Sequence, residues 1–293
     1  MATCAAVIVN FNAGPYLRQA VGSITGTPDI SEIIVVDNAS GDGSLDLLAP
    51  APGLTLVRNE DNLGFAAACN IGIERSRSDV VLLLNPDCVV EPGAVRRLMD
   101  VMATSERVGM VGSRLVNADG SEQAGGRRMM PTPWLAFVRT TGLSRFYPKA
   151  FDDFALHQRP VPDGPVEIEA ISGACMLVRR KAIEDVGPLD AGYFLHCEDL
   201  DWCMRFLQGN WEIMFVPDAR VIHHKGVSSR PMSLRVELYK HRGMARFYRK
   251  FYAKKHSPWF SAFLLGGIWA RFAATAARIQ IRRGMGRIWK MVR

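Results

Sequence analysis

An α/β domain on a parallel sheet, followed by a basic helical tail, is the fold class the sequence predicts. Three observations predict it. Strand-like and helix-like patterns alternate through the first hundred residues, a βαβα rhythm that sets successive strands side by side in parallel. Val80–Leu84 is an unbroken run of five apolar residues, the pattern of a strand covered on both faces. Charge is divided sharply: residues 225–293 hold 17 Lys plus Arg and one acid, Glu237, for +16, and residues 1–224 carry −9, within an overall +7.

Strands are predicted near 5–10, 32–37, 54–58 and 80–84, and helices near 15–25, 43–49, 64–76 and 92–103. Asn38–Ser44 is the loop into the second helix. Pro86 stops the ladder of the fourth strand, since proline has no N–H to give. Asp37 and Asp87 end the second and fourth strands in the same way, so both belong at one edge of the sheet. Residues 117–166 are rich in Gly, Pro and Arg with weak periodicity. They read as a long loop region with a short helix near 134–144, a length typical of lids and binding segments. Strand character returns at 167–178, a helix near 180–186 ends at Gly187-Pro188, and a helix over 199–208 is closed by Gly209. Strands near 212–216 and 219–224 complete the domain.

Residues 232–256 form a basic amphipathic pattern with Tyr239, Phe247, Tyr248, Phe251 and Tyr252. The uncharged stretch 259–270 is too short for a membrane span of about 20 residues. Extended to Ala277 it carries Arg271 near its middle, which is costly in a bilayer core. An interfacial helix with Trp259 and Trp269 at headgroup level fits better, on an anionic membrane surface. The competing use is packing on the α/β domain or in a homodimer. The six cysteines, at 4, 69, 88, 175, 197 and 203, show no zinc spacing and fit buried reduced thiols in a reducing compartment. The N-terminus runs directly into a strand, so a cytoplasmic protein, peripheral on the inner face of the membrane, is expected.

Two acidic groups carry the chemistry. Asp87, at the carboxyl end of a buried strand, sits where α/β sheets bind ligands. To meet a phosphate there it needs a hard cation, Mg²⁺ or Mn²⁺, in between. The plainer reading is a cap for the helix beginning near Glu91-Pro92. Glu198, Asp199 and Asp201 crowd three carboxylates into four positions among Phe194, Trp202 and Phe206. Apolar surroundings raise carboxyl pKa values and suit a general base, whereas favouring a helix N-terminus explains Asp201 alone.

In order along the chain stand Val7-Ile-Val-Asn-Phe-Asn12, Val35-Val-Asp-Asn-Ala-Ser40, Asn62-Leu-Gly-Phe-Ala66 and Asn85-Pro-Asp87. They are followed by Ser172-Gly-Ala-Cys-Met-Leu-Val178, Glu198-Asp-Leu-Asp201 and Val221-Ile-His-His-Lys-Gly-Val-Ser228. With this set the chain resembles the inverting family 2 glycosyltransferases of GT-A fold, nearest to a bacterial rhamnosyltransferase-like branch that builds cell-surface polysaccharides. The resemblance implies a Rossmann-like mixed sheet flanked by helices. It implies a catalytic domain over 1–228, with a nucleotide-binding half of about 1–116 and an acceptor half of about 117–228, which leaves 229–293 as the basic membrane-association tail read from its composition. It implies a nucleotide-sugar donor (dTDP or UDP) and a lipid-linked saccharide acceptor.

Residue by residue, the resemblance gives Asp37 to the pyrimidine ring and Asn10, Asn12, Asn62, Gly64 and Asn70 to the nucleotide. It gives Asp87 and His223 to the metal, with His224 as the alternative ligand, and Gly173 to the donor sugar. Asn85 stands where the family often has an aspartate, a neutral oxygen donor in place of a charged one. Asp199 matches the general base, with Glu198 holding the acceptor hydroxyl or tuning Asp199, and Asp201 pairing with Arg205. Another UDP-hexose donor is the alternative within the class. A nucleic-acid-binding protein using the basic aromatic tail is the alternative outside it, and it leaves both acid motifs unexplained.

Overall fold

A computed structural model describes residues 2–135, 156–224 and 234–291, with the helix backbone alone over 282–291. The chain divides into two compact units. The first comprises Met1–Met130, Asp152–Phe194 and Glu198–Ser228, and the second Pro131–Phe151, Leu195–Cys197 and Ser229–Arg293.

The first half of the first unit runs β1 (Cys4–Asn10), α1 (Pro15–Ile24), β2 (Glu32–Asp37), β3 (Leu54–Arg58), α2 (Phe65–Arg75), β4 (Val80–Leu84), β5 (Cys88–Val90) and α3 (Ala94–Ala103). The second half adds β6 (Val108–Val116), β7 (Arg127–Arg128), β8 (Val166–Glu167), β9 (Ala170–Ile171), β10 (Cys175–Arg179), α4 (Arg180–Val186), α5 (Glu198–Gln208) and β11 (Glu212–His223). The main sheet has the order β3-β2-β1-β4-β10-β6-β11-β5, with β8 on β11. β1 to β4 are mutually parallel, as the alternating pattern requires. β10 enters antiparallel between β4 and β6, so the complete sheet is mixed. β1 and β4 are buried along their whole length, because helices cover both faces.

Several sequence expectations change. The helix expected over 43–49 is a single 3₁₀ turn, Ser44–Leu47. Gly43 enters it at φ 72°, and Pro50 and Pro52 follow too closely for a longer helix. The strand expected over 167–178 is three short strands separated at Ile168-Glu169 and Ser172-Gly-Ala174. The two strands expected at 212–216 and 219–224 are one strand with an irregularity between Val216 and Arg220. β5 and β6 were not legible. In β6, Gly109 and Gly112 interrupt the apolar pattern, and they are there for space: a Cβ on Gly112 would lie 2.5 Å from Ile171, and one on Gly109 3.1 Å from Phe206. The helix expected near 134–144 falls mostly outside the described residues.

In the second unit, α6 (Leu234–Phe251) and α7 (Pro258–Met291) pack on each other, and Leu264, Ile268 and Ile279 of α7 are buried. His241 meets Phe272 edge-on at 5.5 Å, and Tyr248 and Ser261 share a hydrogen bond of 2.9 Å. A Cβ on Gly243 would lie 2.7 Å from the carbonyl oxygen of His196, so only glycine fits that approach. Trp259, Phe263, Trp269 and Ile281 remain exposed on α7. Its segment Pro258–Ile281 is long and apolar enough to cross a membrane by length and composition.

Candidate active site

Parallel strands deliver their carboxyl ends to one edge. Asn10 pairs in register with Asp37, and Ile8 with Leu84, so the turns after β1, β2 and β4 emerge together. β10 runs the other way, and the residues leading into it, Ser172-Gly-Ala174, therefore meet the same edge: Asn85 N–H donates to Ala174 O at 2.8 Å. The end of β11 joins them, with His223 opposite Cys88 of β5.

Asp87 and His223 meet at this edge. Asp87 Oδ1 lies 3.2 Å from His223 Nε2, and both side chains are nearly buried. On its other side, His223 Nδ1 lies 2.6 Å from Gln123 Oε1. The neighbouring His224 turns instead to the ring of Tyr16, 5.1 Å between centroids, so His223 is the imidazole at Asp87. Cys88 Sγ is also close to both, but its thiol donates to Ala174 O at 3.4 Å and burial pushes its pKa well up, so it stays protonated. The remaining donors fit a hard divalent ion. Two adjacent donors about 2.1 Å from an octahedral ion stand about 3 Å apart, which is the spacing of Asp87 and His223. Asn85, two residues before Asp87, is set at this edge through its main chain, whose N–H donates to Ala174 O and whose oxygen accepts from Cys88 N.

The second acid group begins α5. Asp199 Oδ2 accepts from Arg128 Nη2 at 2.5 Å and from Gly173 N at 3.4 Å, and Oδ1 accepts from its neighbour Leu200 N at 2.8 Å. Glu198, next to it, is buried with Oε2 unpartnered. Burial, and then the Asp199 charge, pushes its pKa up to about 8. Glu198 therefore keeps its proton at neutral pH, beside an Asp199 that is paired with Arg128. Asp201 is bound by Arg205 at 2.8 Å, in the i,i+4 pairing expected for it. Trp202 and Phe206 of the same helix are fully buried, edge to face at 5.4 Å.

The nucleotide-side residues form a polar web. Asn10 Nδ2 donates to Asp37 Oδ1 at 2.7 Å, Ser44 Oγ at 2.8 Å and Ser40 Oγ at 3.0 Å. Ser40 N–H donates to Asp37 Oδ2 at 3.1 Å, and each Asp37 oxygen keeps a further lone pair. Asn12, left-handed at φ 52°, accepts from Gly41 N. Asn62 accepts from Gly64 N and from Asn38 Nδ2. The close approach at Gly64 is to Phe194, whose carbonyl oxygen would lie 2.6 Å from an added Cβ. Asn70 is set apart from the web: both ends of its amide bind the main chain of Leu189. Its role is to tie α2 to the loop after α4.

Two residues that the sequence does not single out touch the site: Arg128 binds Asp199 and Gln123 binds His223. Arg128 lies in a Gly-rich stretch, Gly125-Gly-Arg-Arg128, where no local pattern assigns the arginines a role. β7 pairs with β9, and that pairing carries Arg128 to Asp199. Gln123 had no signal at all, being one polar residue in a polar turn.

The sequence profile of Glycosyl transferase family 2 matches residues 5–187. N-acetylglucosaminyl-diphospho-decaprenol L-rhamnosyltransferase of Mycobacterium tuberculosis is 30% identical over 304 residues, covering 98% of this chain and 96% of that protein. The dTDP-rhamnosyl transferase RfbF of Shigella flexneri is 24% identical over 76% of this chain and 70% of its own length. Among solved structures, the mannosyltransferase PcManGT of Pyrobaculum calidifontis, in complex with GDP-Man and Mn²⁺, superposes with a TM-score of 0.58 at 14% identity, over 99% of this chain and 81% of that one. GalNAc-T7 with UDP, GalNAc and Mn²⁺ gives 0.58 at 19% identity over 85% of this chain and 50% of its own. The two structures share the fold.

Proposed function

The chain belongs to glycosyl transferase family 2, and on that premise we propose that it moves L-rhamnose from dTDP-rhamnose to a lipid-linked saccharide acceptor, with inversion. One observation carries this choice of substrates. The relative that matches almost end to end at 30% identity is named for rhamnose transfer to a diphospho-decaprenol-linked sugar. Another UDP-hexose donor is the second reading, since Asp37 accepts the N3–H of uracil and thymine alike.

The residues divide the work as follows. Asp37, braced by Asn10 and Ser40, takes the pyrimidine N3–H. Asp87 and His223 hold the divalent cation, with Asn85 as a neutral oxygen donor next to them. When bound, the cation supplies Lewis-acid stabilisation of the departing diphosphate. Asp199 takes the proton of the acceptor hydroxyl as its oxygen attacks the anomeric carbon in line. The new glycosidic bond forms as the bond to the diphosphate breaks, and the nucleotide leaves. Arg128 and Gly173 N–H fix the Asp199 carboxylate for that attack. The test is a donor screen: acceptor-dependent nucleotide release should be fastest with dTDP-rhamnose. Faster turnover of a UDP-hexose would replace this reading with the second.

The acceptor's lipid gives the tail its role. The exposed Trp259 and Phe263 lie on one segment of α7, within the +16 stretch. Each basic residue near an anionic surface contributes about 1 kcal/mol. The protein then works at the inner face of the cytoplasmic membrane, with the Mg²⁺ or Mn²⁺ supplied from the cytoplasm. Full-length protein should sediment with anionic vesicles at low salt, and Trp259→Ser with Phe263→Ser should reduce this about tenfold or more. A full-length chain that stays in the supernatant at low and high salt makes α7 a packing or dimer surface instead.

A further inference from the structure

Counting donors and acceptors around Gln123 fixes which nitrogen of His223 carries its proton. Gln123 is buried in the turn after β6, its main chain held by Leu115 O at 2.8 Å and by Gly126 N at 3.2 Å. Its amide nitrogen lies 3.1 Å from the main-chain oxygen of His223 and 3.0 Å from Asn117 Oδ1. A main-chain carbonyl offers lone pairs only, so the group facing it is the NH₂. Asn117 agrees, because its own Nδ2 donates to Ser121 Oγ at 2.9 Å and leaves Oδ1 toward Gln123. The amide oxygen of Gln123 therefore faces His223 Nδ1 at 2.6 Å. An oxygen acceptor at that place requires Nδ1 to be the N–H. In the neutral ring Nε2 then bears the lone pair, aimed at Asp87 Oδ1 3.2 Å away. Two acceptors facing each other repel unless a metal ion or a proton on Nε2 accompanies them.

We propose that Gln123 is a positioning residue for the cation site: it holds His223 in the Nδ1–H tautomer and so presents a bare Nε2 beside the Asp87 carboxylate. Its role rests on the metal reading of Asp87 and His223 given above. The three hydrogen bonds of one amide do two jobs. The oxygen sets the tautomer, one N–H ties the end of β11 to the turn after β6 through the main-chain oxygen of His223, and the other is held within that turn by Asn117. Partners of this kind raise ligand basicity and set ring orientation, and losing one costs about 10–100-fold in metal affinity.

Two variants separate tautomer control from plain anchoring. Gln123→Leu removes the acceptor and both donors, whereas Gln123→Glu keeps an oxygen toward Nδ1 and loses the clamp. Mn²⁺ binding in the presence of dTDP is followed by the EPR signal of free Mn²⁺, with circular dichroism to confirm folding. Long-range ¹H–¹⁵N NMR on ¹⁵N-His protein, with His223 assigned from His223→Asn, reads the tautomer without metal. We expect the Nδ1–H pattern in the unaltered chain, a 10–100-fold loss of Mn²⁺ affinity in Gln123→Leu, and retention within about threefold in Gln123→Glu. An Nε2–H pattern in the unaltered chain overturns the proposal. So does a folded Gln123→Leu that binds Mn²⁺ normally, or an equal loss in both variants, which would make the amide an anchor only. If the unaltered chain takes up no Mn²⁺ with dTDP, the metal reading itself fails and the role of Gln123 falls with it.

Discussion

Asp87 and Asp199 stand at the same edge of one sheet with opposite neighbours. Asp199 has a guanidinium at 2.5 Å and main-chain N–H groups at 2.8 and 3.4 Å. Asp87 has an imidazole nitrogen at 3.2 Å and, among the described residues, no Lys or Arg partner. The first carboxylate has its countercharge built into the protein. The second is left for a cation from solution to complete. Ser172-Gly-Ala174 joins the two groups, since Gly173 N reaches Asp199 while Ala174 O takes the N–H of Asn85. One short segment therefore sets both acids, and the division of labour between them comes from their partners.

The largest effect should come from the acid that lacks a countercharge. Asp87→Ala, or excess EDTA on the unaltered protein, should bring transfer below detection. Undiminished turnover in EDTA would erase the contrast, because Asp87 would then need no ion. The next effect belongs to Asp199. Asp199→Asn keeps the shape and removes the base, so kcat should fall about 10²–10⁴-fold. Mn²⁺ affinity should be unchanged, and a parallel loss of Mn²⁺ binding would show that the two acids serve one ion. Arg128→Gln should lower kcat about 10–100-fold, again without touching Mn²⁺ binding, because it loosens the aim of the carboxylate.

The sequence made one half of this site far more legible than the other. Asn85-Pro-Asp87 could be read because a buried strand, a proline and an acid lie within a few residues, and the strand's direction fixes where the acid points. Glu198-Asp199 was visible as crowded charge. Arg128 and Gln123 were not, since long-range pairing brings each to its partner: β7 on β9 carries Arg128 to Asp199, and a turn meeting β11 carries Gln123 to His223. No local pattern encodes such contacts. The same reason hid β6, whose glycines answer to Ile171 and Phe206, distant in sequence. Gly64 and Asn70 teach the reverse. Both sit in or near a motif assigned to the nucleotide, yet the structure engages them with Phe194 and Leu189.

The smallest effect on rate, and the finest test of the contrast, concerns Glu198. Its pKa is pushed up to about 8 from an ordinary 4.5, first by burial and then by the Asp199 charge. The folded chain therefore keeps a proton that the unfolded chain gives up above about 4.5. Between those values the unfolded state binds fewer protons, so this group's contribution is whole below about 4.5, falls as pH rises, and levels off above about 8. Glu198→Gln replaces a neutral acid with a neutral amide of the same shape and removes that fall. It should gain on the order of 2–4 kcal/mol relative to the unaltered chain at pH 8 and almost nothing at pH 4. Thermal unfolding of both proteins at pH 4, 6 and 8 measures the difference. Turnover at pH 7 should stay within about tenfold, because the residue it replaces carries no charge there and takes no proton from the acceptor. A stability offset equal at all three pH values would mean that Glu198 is ionised in the folded chain. The charge at the start of α5 would then be shared between two acids, and Asp199 would no longer stand as the single ionised partner of Arg128.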